Sequence, residues 1–259
     1  MMGRFVWAMV MAAAVSCSSD NGGGVAGAGG SGAQGTGATG AQGTGATGNP
    51  GSSGGAPVTT VTFGAQRQGE GTYYAATGDG ACMFGPSPND MDVAALNQPD
   101  WAGSGYCGAC ADVTGPKGSV RIRIVDLCPE CQSGDLDFSQ QAFAKIAEVA
   151  AGRVAITWTF VACDVSGPVN YRYKDGSNQW WTAVQVFNSR LPVTKLEYSS
   201  DGSSWNPTAR QDYNYFLAES GFGPNPVQVR ITAIDGQTLT DQLPAVQELL
   251  VTPGHAQFN

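Results

Sequence analysis

The cysteines constrain this chain more than any other feature of its sequence. Six of the seven lie in one 82-residue window, and none follows Cys163. Cys107/Cys110 and Cys128/Cys131 are two pairs with 17 residues between them, which is the spacing of a zinc ribbon. One zinc ion would leave Cys82 and Cys163 over, whereas six cysteines divide evenly into three disulfides. Because disulfides persist in exported proteins, we predict three bridges, no metal and a domain that ends shortly after Cys163.

The first 17 residues indicate export. They carry one charge, Arg4, followed by an apolar run and small residues before Cys17. This pattern is typical of a secretory signal peptide, and it is too short to span a bilayer as a stable helix. The residues from Ala14 to Cys17 resemble a bacterial lipoprotein cleavage box, and cleavage near Ala14 by an ordinary signal peptidase is the alternative. We expect a secreted protein whose one membrane attachment is a lipid on Cys17, in the bacterial outer membrane.

The next 40 residues, 18–57, have the composition of a linker. They contain 16 of the 37 glycines and a tandem repeat, GAQGTGAT, at 32–39 and 40–47. Such a segment cannot bury apolar surface, so it is predicted to be a flexible, disordered linker. The remaining 202 residues suffice for two domains, which we place at 58–165 and 166–259. The net charge of −8 argues against a nucleic-acid partner.

The first of these domains is predicted to be mainly β with one helix. Alternating apolar residues at 120–125 and 154–160 predict half-buried strands, and residues 58–81 predict several short β segments. Ser139 is placed to cap a helix between the two later strands. That helix would carry four apolar residues on one face: Phe143, Ile146, Ala147 and Ala150.

The second domain is predicted to be all β. It follows a short hinge at 165–168. Asp201-Gly202 and Asp235-Gly236 each lie between alternating segments, and Asp-Gly pairs in that setting predict hairpins. Several short strands at regular spacing favour a β-sandwich.

Four acids follow the strand at 120–125 closely, and two of them could serve glycoside cleavage. They are Asp126, Glu130, Asp135 and Asp137. Glycoside hydrolysis requires one carboxylic acid and a second carboxylate across a cleft. The alternative is that Asp135 and Asp137 cap backbone N–H groups ahead of the Ser139 helix. The single histidine, His255, excludes most imidazole-based mechanisms.

Two adjacent tryptophans in the second domain, Trp180 and Trp181, suggest a sugar-binding surface. Together with Tyr213 they could form a flat aromatic platform for the apolar faces of sugar rings. Neighbouring side chains on a strand point to opposite faces, so one tryptophan would be in the core unless the backbone turns both outward. Ordinary core aromatics are therefore the competing interpretation.

Taken together, seven segments in order resemble those of the bacterial expansins. They are GTYY at 71–74, PSPNDMDVAALN at 86–97, GPKG at 115–118, IVDLCPECQSGDLDFSQQAFAKI at 124–146, YRYKDGSNQWW at 171–181, DYNYF at 212–216 and PGHAQF at 253–258. The resemblance covers about residues 66–259. It implies a six-stranded double-psi β-barrel followed by an immunoglobulin-like β-sandwich similar to a family-63 carbohydrate-binding module. It also implies no cofactor and a monomer.

The resemblance assigns roles to individual residues. It implies a functional groove in the barrel, formed by Asp137, Asp126 and Thr72. It implies a glucan-binding surface on the sandwich, formed by Trp180, Trp181, Tyr213 and Lys174. The GYCGACADV stretch at 105–113 instead resembles the cysteine-rich plant expansins and endoglucanases, and that resemblance implies the disulfides Cys82–Cys107, Cys110–Cys163 and Cys128–Cys131. The last pair is a departure, because several bacterial relatives carry a tyrosine where this chain has Cys128. A Cys128–Cys131 bridge would stiffen that loop and remove an aromatic contact from the groove.

The function implied by the resemblance is loosening of plant cell walls by binding cellulose and related glucans, without hydrolysis. One alternative is a glycan-cleaving enzyme, either a family-45-like endoglucanase or a lytic transglycosylase acting on peptidoglycan. Such an enzyme would need a second carboxylate, for which we consider Asp90, Asp92 and Asp112. The other alternative is a pure carbohydrate-binding adhesion module.

Overall fold

The computed structural model describes residues 62–259, which lie within one compact unit. The predicted signal peptide, the lipid site at Cys17 and the linker at 18–57 lie outside these residues. No helix among residues 62–259 has both the length and the hydropathy that a membrane span requires.

Six strands form a closed barrel in the first part of the unit. Their order around the barrel is β1-β5-β2-β4-β3-β6, with β6 pairing back onto β1. The strands are β1 Thr62–Tyr74, β2 Val93–Asn97, β3 Cys110–Thr114, β4 Ser119–Cys128, β5 Leu136–Ser139 and β6 Val154–Val161. The pairs β1/β5 and β2/β4 are parallel, and the other pairs are antiparallel. The interior is filled by apolar side chains, and the largest fully buried one is Trp158.

The strands predicted at 120–125 and 154–160 are confirmed as parts of β4 and β6. Residues 62–74, however, form one 13-residue strand rather than several short segments. The length follows from the barrel, because β1 pairs with β6 along most of its course and with β5 at its end. A bulge between Phe63 and Arg67 lets this long strand curve around the barrel.

The helix α1, Gln140–Ile146, begins where the sequence predicted. The Ser139 hydroxyl accepts a hydrogen bond from the Ala142 N–H at 3.0 Å. The prediction that Ala150 shares the helix face is wrong, because the helix ends at Ile146 and Ala150 is exposed in a separate 3-10 turn, Val149–Ala151. A second 3-10 turn spans Gln98–Asp100.

The second part of the unit is a sandwich of two antiparallel sheets. The four-stranded sheet has the order β10-β9-β13-β14, and the five-stranded sheet has the order β11-β12-β8-β7-β15. Its strands are β7 Asn170–Tyr173, β8 Thr182–Phe187, β9 Val193–Ser199, β10 Asn206–Pro207, β11 Ala209–Arg210, β12 Phe216–Ala218, β13 Val227–Ala233, β14 Thr238–Leu243 and β15 Val251–Pro253. A second apolar core lies between the sheets. Both predicted hairpins are present, connecting β9 to β10 and β13 to β14.

Three disulfides occur in the barrel part, and they pair as the resemblance implies. They are Cys82–Cys107, Cys110–Cys163 and Cys128–Cys131. The zinc-ribbon alternative is therefore wrong, since the four cysteines with that spacing are bonded in three different bridges. Cys110–Cys163 spans 53 residues and ties β3 to the segment that follows β6.

Candidate functional site: a barrel groove and an aromatic turn

A row of small and polar residues crosses four adjacent strands of the barrel. Thr72 on β1 is opposite Asp137 on β5, and Asp137 is opposite Ala95 on β2. Ala95 is in turn opposite Asp126 on β4, because a bulge after Ala94 shifts the register there by one residue. Residues opposite each other in a sheet point to the same face. The row therefore forms one surface, with the alanine leaving space between the two acids.

Asp137 lies half-buried in this row, and its carboxylate Oδ1 accepts a hydrogen bond of 2.6 Å from the Thr72 hydroxyl. Burial raises the pKa of Asp137 above its ordinary value. The Thr72 hydrogen bond and the charge of Arg153 oppose this rise, while the negative charges of Asp126 and Glu130 add to it. Thr72 thus positions a carboxyl group whose protonated form is favoured by its surroundings.

Asp126 holds a neighbouring loop of the barrel in place. Its Oδ1 accepts hydrogen bonds from the backbone N–H groups of Ala81 at 2.7 Å and Leu127 at 2.8 Å. The loop can approach because residue 80 is glycine: a Cβ there would lie 2.3 Å from Asp126 Cγ. Asp126 therefore contributes charge to the groove, while one of its two carboxylate oxygens, Oδ1, binds the backbone of the loop and of β4.

The sequence reasoning missed Tyr74, which belongs to the same cluster. Its hydroxyl is buried, and burial raises its pKa, with the charges of Asp126 and Asp137 adding to the rise. Tyr74 lies two residues after Thr72 on β1, so both side chains project to the same face. That period-two spacing within the GTYY segment is the signal that could have identified it.

The alternative that Asp135 and Asp137 cap backbone N–H groups is wrong for Asp137 and confirmed for Asp135, although the groups that Asp135 caps do not belong to the Ser139 helix. Asp137 bonds to Thr72, as described above. Asp135 instead accepts hydrogen bonds from the backbone N–H groups of Glu70 at 2.7 Å and Gln132 at 3.0 Å. It holds the turn before β5 against β1, so two acids in one short segment have different roles.

The three acids considered as a second catalytic carboxylate are each paired with a cation. Asp90 contacts Arg123 at 2.9 Å, Asp92 contacts Lys145 at 2.6 Å, and Asp112 contacts Arg121 at 2.7 Å. The charges that act on Asp137 come from Asp126, Glu130 and Arg153 instead. The structure does not bring any of the three candidates together with Asp137.

Trp180 and Trp181 lie in a tight turn before β8, outside both hydrophobic cores. The Asn178 side-chain oxygen accepts hydrogen bonds from the backbone N–H groups of Trp180 at 3.0 Å and Trp181 at 3.2 Å. Because this is a turn and not a strand, the two rings need not point to opposite faces. Trp180 is 71 % exposed and Trp181 is half-buried, so neither is an ordinary core residue.

A neighbouring loop braces this turn from behind. The Gly223 N–H donates to the Gln179 carbonyl at 2.9 Å, and the Phe222 N–H donates to the Thr182 hydroxyl at 3.1 Å. Gly221 has φ +70°, and a Cβ there would lie 2.1 Å from the Gln179 carbonyl oxygen. The exposed ring is therefore carried on a backbone that is fixed by close contact.

The remaining two residues of the predicted platform are close to each other. Lys174 follows β7, and its Nζ lies 5.9 Å from the centroid of the Tyr213 ring. Tyr213 is half-buried in the turn between β11 and β12, and its ring lies 5.9 Å from that of Tyr215. We use the name aromatic platform for Trp180, Trp181, Tyr213 and Lys174.

Hydrogen bonds fix the loop at 80–83, which contacts Asp126, to the sheet that carries the platform. The carbonyl of Cys82 accepts hydrogen bonds from the side-chain amides of Gln185 at 2.9 Å and Asn214 at 3.0 Å. Arg172 on β7 donates to the carbonyl of Met83. Cys82 follows Ala81, which binds Asp126, and Asn214 follows Tyr213. A short path of backbone therefore joins the acid row to the platform.

Comparison with known proteins decides the family. The chain is 35 % identical to the expansin YoaJ of Bacillus subtilis over 213 residues, which cover 78 % of this chain and 91 % of that protein. It is 30 % identical over 201 residues to expansin-like protein 1 of Dictyostelium discoideum, covering 73 % of this chain and 70 % of that protein. The chain belongs to the expansin family.

Solved expansin structures have the same fold. The apo expansin of Clavibacter michiganensis matches with a TM-score of 0.70 and 29 % identity, covering 75 % of this chain and 98 % of that one. A mutant of the same expansin, crystallised in complex with cellohexaose, matches equally well. A family model described as lytic transglycolase matches residues 93–158, which run from the start of β2 into β6. The expectation of a double-psi barrel followed by a sandwich is confirmed at the level of fold.

Proposed function

We propose that this expansin binds cellulose and related β-glucans of plant cell walls and loosens them without hydrolysis. The observation that carries the proposal is the exposed, braced Trp180 beside Trp181 on the aromatic platform. A flat aromatic surface suits the apolar faces of glucose rings. Cellulose is uncharged, so ion pairs cannot contribute to its binding. The cellohexaose complex of the Clavibacter relative supports the same ligand class. The sandwich would then act as the carbohydrate-binding module, of the family-63 type.

The acid row supports a non-hydrolytic role for the barrel. Asp137 is one carboxyl group with a hydroxyl partner, and the three acids considered as its catalytic partner are held by cations. A carboxylate accepts hydrogen bonds from glucan hydroxyl groups, and its protonated form can also donate one. We propose that Asp137 competes in this way for the hydrogen bonds that join neighbouring glucan chains.

The setting of the protein is part of the proposal. The N-terminal 17 residues support export, and Cys17 supports a lipid anchor in the outer membrane, with residues 18–57 giving reach. A monomer is expected. Mass spectrometry of the membrane fraction tests the anchor: a diacylglyceryl adduct on Cys17 is the expected result, and an unmodified chain that starts near Val15 contradicts it.

A pull-down on microcrystalline cellulose tests the platform. The Trp180→Ala/Trp181→Ala variant should lose nearly all binding, because the stacking of glucose rings on the two tryptophan rings supplies most of the contact area. Trp205→Ala is the matched control, since Trp205 directly precedes β10 in the four-stranded sheet and not in the sheet that carries the platform. Its ring packs on Arg230, whose guanidinium carbon lies 4.3 Å from the ring centroid. Unchanged retention of the double variant, or equal loss in the control, would contradict the proposal.

Cleavage of peptidoglycan is the second candidate, and the family model named for lytic transglycolase favours it. In that case Asp126 would be the second catalytic carboxylate. Ala95 lies between it and Asp137 on the adjacent strands, so the Cα atoms of the two acids are two strand spacings, about 10 Å, apart. Release of soluble glycan from peptidoglycan or cellulose, abolished by Asp137→Asn, would establish an enzyme. We expect wall creep without such release. Binding without either activity would indicate an adhesion module.

A further inference from the structure

A cavity of about 320 Å³ lies beside the aromatic platform. It is lined by residues 177–180, by Gly223 and Pro224, and by residues 246–248. Its lining shares Trp180 with the platform but does not include Lys174, Trp181 or Tyr213. The cavity is therefore an extension past the exposed ring, and its volume is at the lower end of the ~300–1,000 Å³ typical of small-ligand sites.

The lining of this cavity combines apolar surface with free hydrogen-bonding groups. Trp180, Pro224 and Val246 supply the apolar part. The side-chain amides of Gln179 and Gln247 have no hydrogen-bond partner among residues 62–259. Glu248 uses its Oε2 to accept from the Gly176 N–H at 3.2 Å, which leaves Oε1 available. A sugar has both an apolar face and hydroxyl groups, and the carboxylate disfavours an acidic one.

The loop that brings Gln247 and Glu248 to the cavity is held in an unusual backbone conformation. Leu249, the next residue, has φ +61° and is 61 % exposed. A left-handed backbone at a leucine is uncommon and unfavourable, and such residues concentrate at functional sites. The Leu249 N–H donates to the Tyr173 carbonyl at 3.2 Å, so the loop is fixed against the end of β7.

We propose that this cavity is a lateral subsite for a neutral branch sugar of a substituted β-glucan. The proposal rests on the proposed function, because the backbone of the same glucan would lie on the aromatic platform. A backbone glucose that lies flat on the rings does not enter a cavity to one side of them. A substituent that projects from the backbone does, and there it meets the free amides of Gln179 and Gln247.

Calorimetric titration with two oligosaccharides tests the subsite: cellohexaose, and a xylosyl-branched cello-oligosaccharide of the same backbone length. The wild-type protein should bind the branched ligand about tenfold more tightly, as expected for one or two added hydrogen bonds. The Gln179→Ala/Gln247→Ala variant should reduce this ratio to within about twofold. Gln242→Ala is the matched control, an exposed glutamine on β14 of the other sheet, and it should keep the wild-type ratio.

The outcomes separate the two proposals. Equal affinity of the wild-type protein for both ligands would overturn the subsite and leave glucan binding intact. A preference that persists in the double variant, or is lost equally in Gln242→Ala, would also overturn the subsite. Failure of the wild-type protein to bind cellohexaose would overturn the proposed function together with the subsite.

Discussion

At the scale of single residues, Asp135 and Asp137 differ in role although only Leu136 separates them. Asp135 uses both carboxylate oxygens to accept backbone N–H groups and so stabilises a turn. Asp137 has one hydroxyl partner in a partly buried site beside two other acids, so its charged form is disfavoured. Groups whose pKa is shifted by burial and by neighbouring charges concentrate at functional sites, which supports the role proposed for Asp137.

Asp137→Asn should raise the thermal midpoint at pH 7. The folded-state pKa of Asp137 is raised, so ionisation destabilises the folded protein as pH rises from the ordinary value of 3.8 through the folded value. Asparagine removes this charge and can still accept from Thr72. The gain should be largest at neutral pH and should disappear below about pH 3.8, where both states are protonated. Thermal melts at pH 7 and pH 3.5 measure the difference, and wall creep should be lost.

Asp135→Asn is the matched control for this prediction. It weakens the hydrogen bonds to Glu70 and Gln132, so it should lower stability by about 1–2 kcal/mol at pH 7. Two isosteric changes two positions apart would then have opposite signs. An Asp137→Asn midpoint that is equal to or below the wild type at pH 7 would show that its charge is not disfavoured.

At the scale of elements, the platform depends on the turn at 178–181, which precedes β8 and carries both tryptophans. If these residues formed a strand, neighbouring side chains would point to opposite faces and one tryptophan would lie in the core. They do not form a strand, because the Asn178 side chain accepts hydrogen bonds from the N–H groups of Trp180 and Trp181 and so closes a turn. The loop at 221–223 then packs against this turn. The orientation of Trp180 is thus decided by two loops that are about 40 residues apart in sequence.

Gly221→Ala should weaken cellulose retention while the protein remains folded. The new Cβ would overlap the Gln179 carbonyl oxygen, so the Trp180 turn must move. Gly223→Ala is the matched control: Gly223 also has a positive φ, +82°, but a Cβ there has no atom within 4 Å. Both variants should lose about 1 kcal/mol of stability from the left-handed backbone, and Gly221→Ala should lose more because its Cβ overlaps backbone atoms of Gln179 and Trp180. A pull-down on cellulose should show reduced retention for Gly221→Ala alone; equal retention would contradict the bracing role.

At the scale of the whole molecule, the groove and the platform are joined by buried hydrogen bonds to one loop. Gln185 and Asn214 of the sandwich both bind the Cys82 carbonyl of the barrel. Arg210 of the sandwich also binds Ser104 of the barrel through both its carbonyl and its hydroxyl. A fixed arrangement would let a bound glucan chain be presented to Asp137.

Gln185→Ala/Asn214→Ala should separate binding from loosening. The Cys82 carbonyl would lose both side-chain partners, which is expected to weaken the contact between barrel and sandwich by about 1–3 kcal/mol. Retention on cellulose should remain near wild type, because the platform residues are unchanged, while wall creep should fall. Small-angle scattering should show a larger radius of gyration. Wild-type creep in this variant would show that the contact is not required for loosening.

The sequence predicted those parts of the structure that depend on near neighbours. The Ser139 cap, the two Asp-Gly hairpins and the alternating strands β4 and β6 each involve residues a few positions apart. The limits of the helix and the continuity of β1 were not predicted, since pairing with distant strands decides them. The expansin resemblance supplied the groove residues and the platform, which local pattern alone left open.

The sequence by itself determined a mainly β chain whose cysteines, apart from Cys17, lie between positions 82 and 163, because composition and short-range periodicity carry that information. Only the tertiary structure decided which acids act together. Thr72 and Asp137 are 65 positions apart, and a bulge on β2 and β4 brings Asp126 into their row. It also decided that Trp180 is exposed and that Cys82 meets Asn214 from 132 positions away. Such contacts depend on register and loop packing, which the closed barrel and the sandwich impose together.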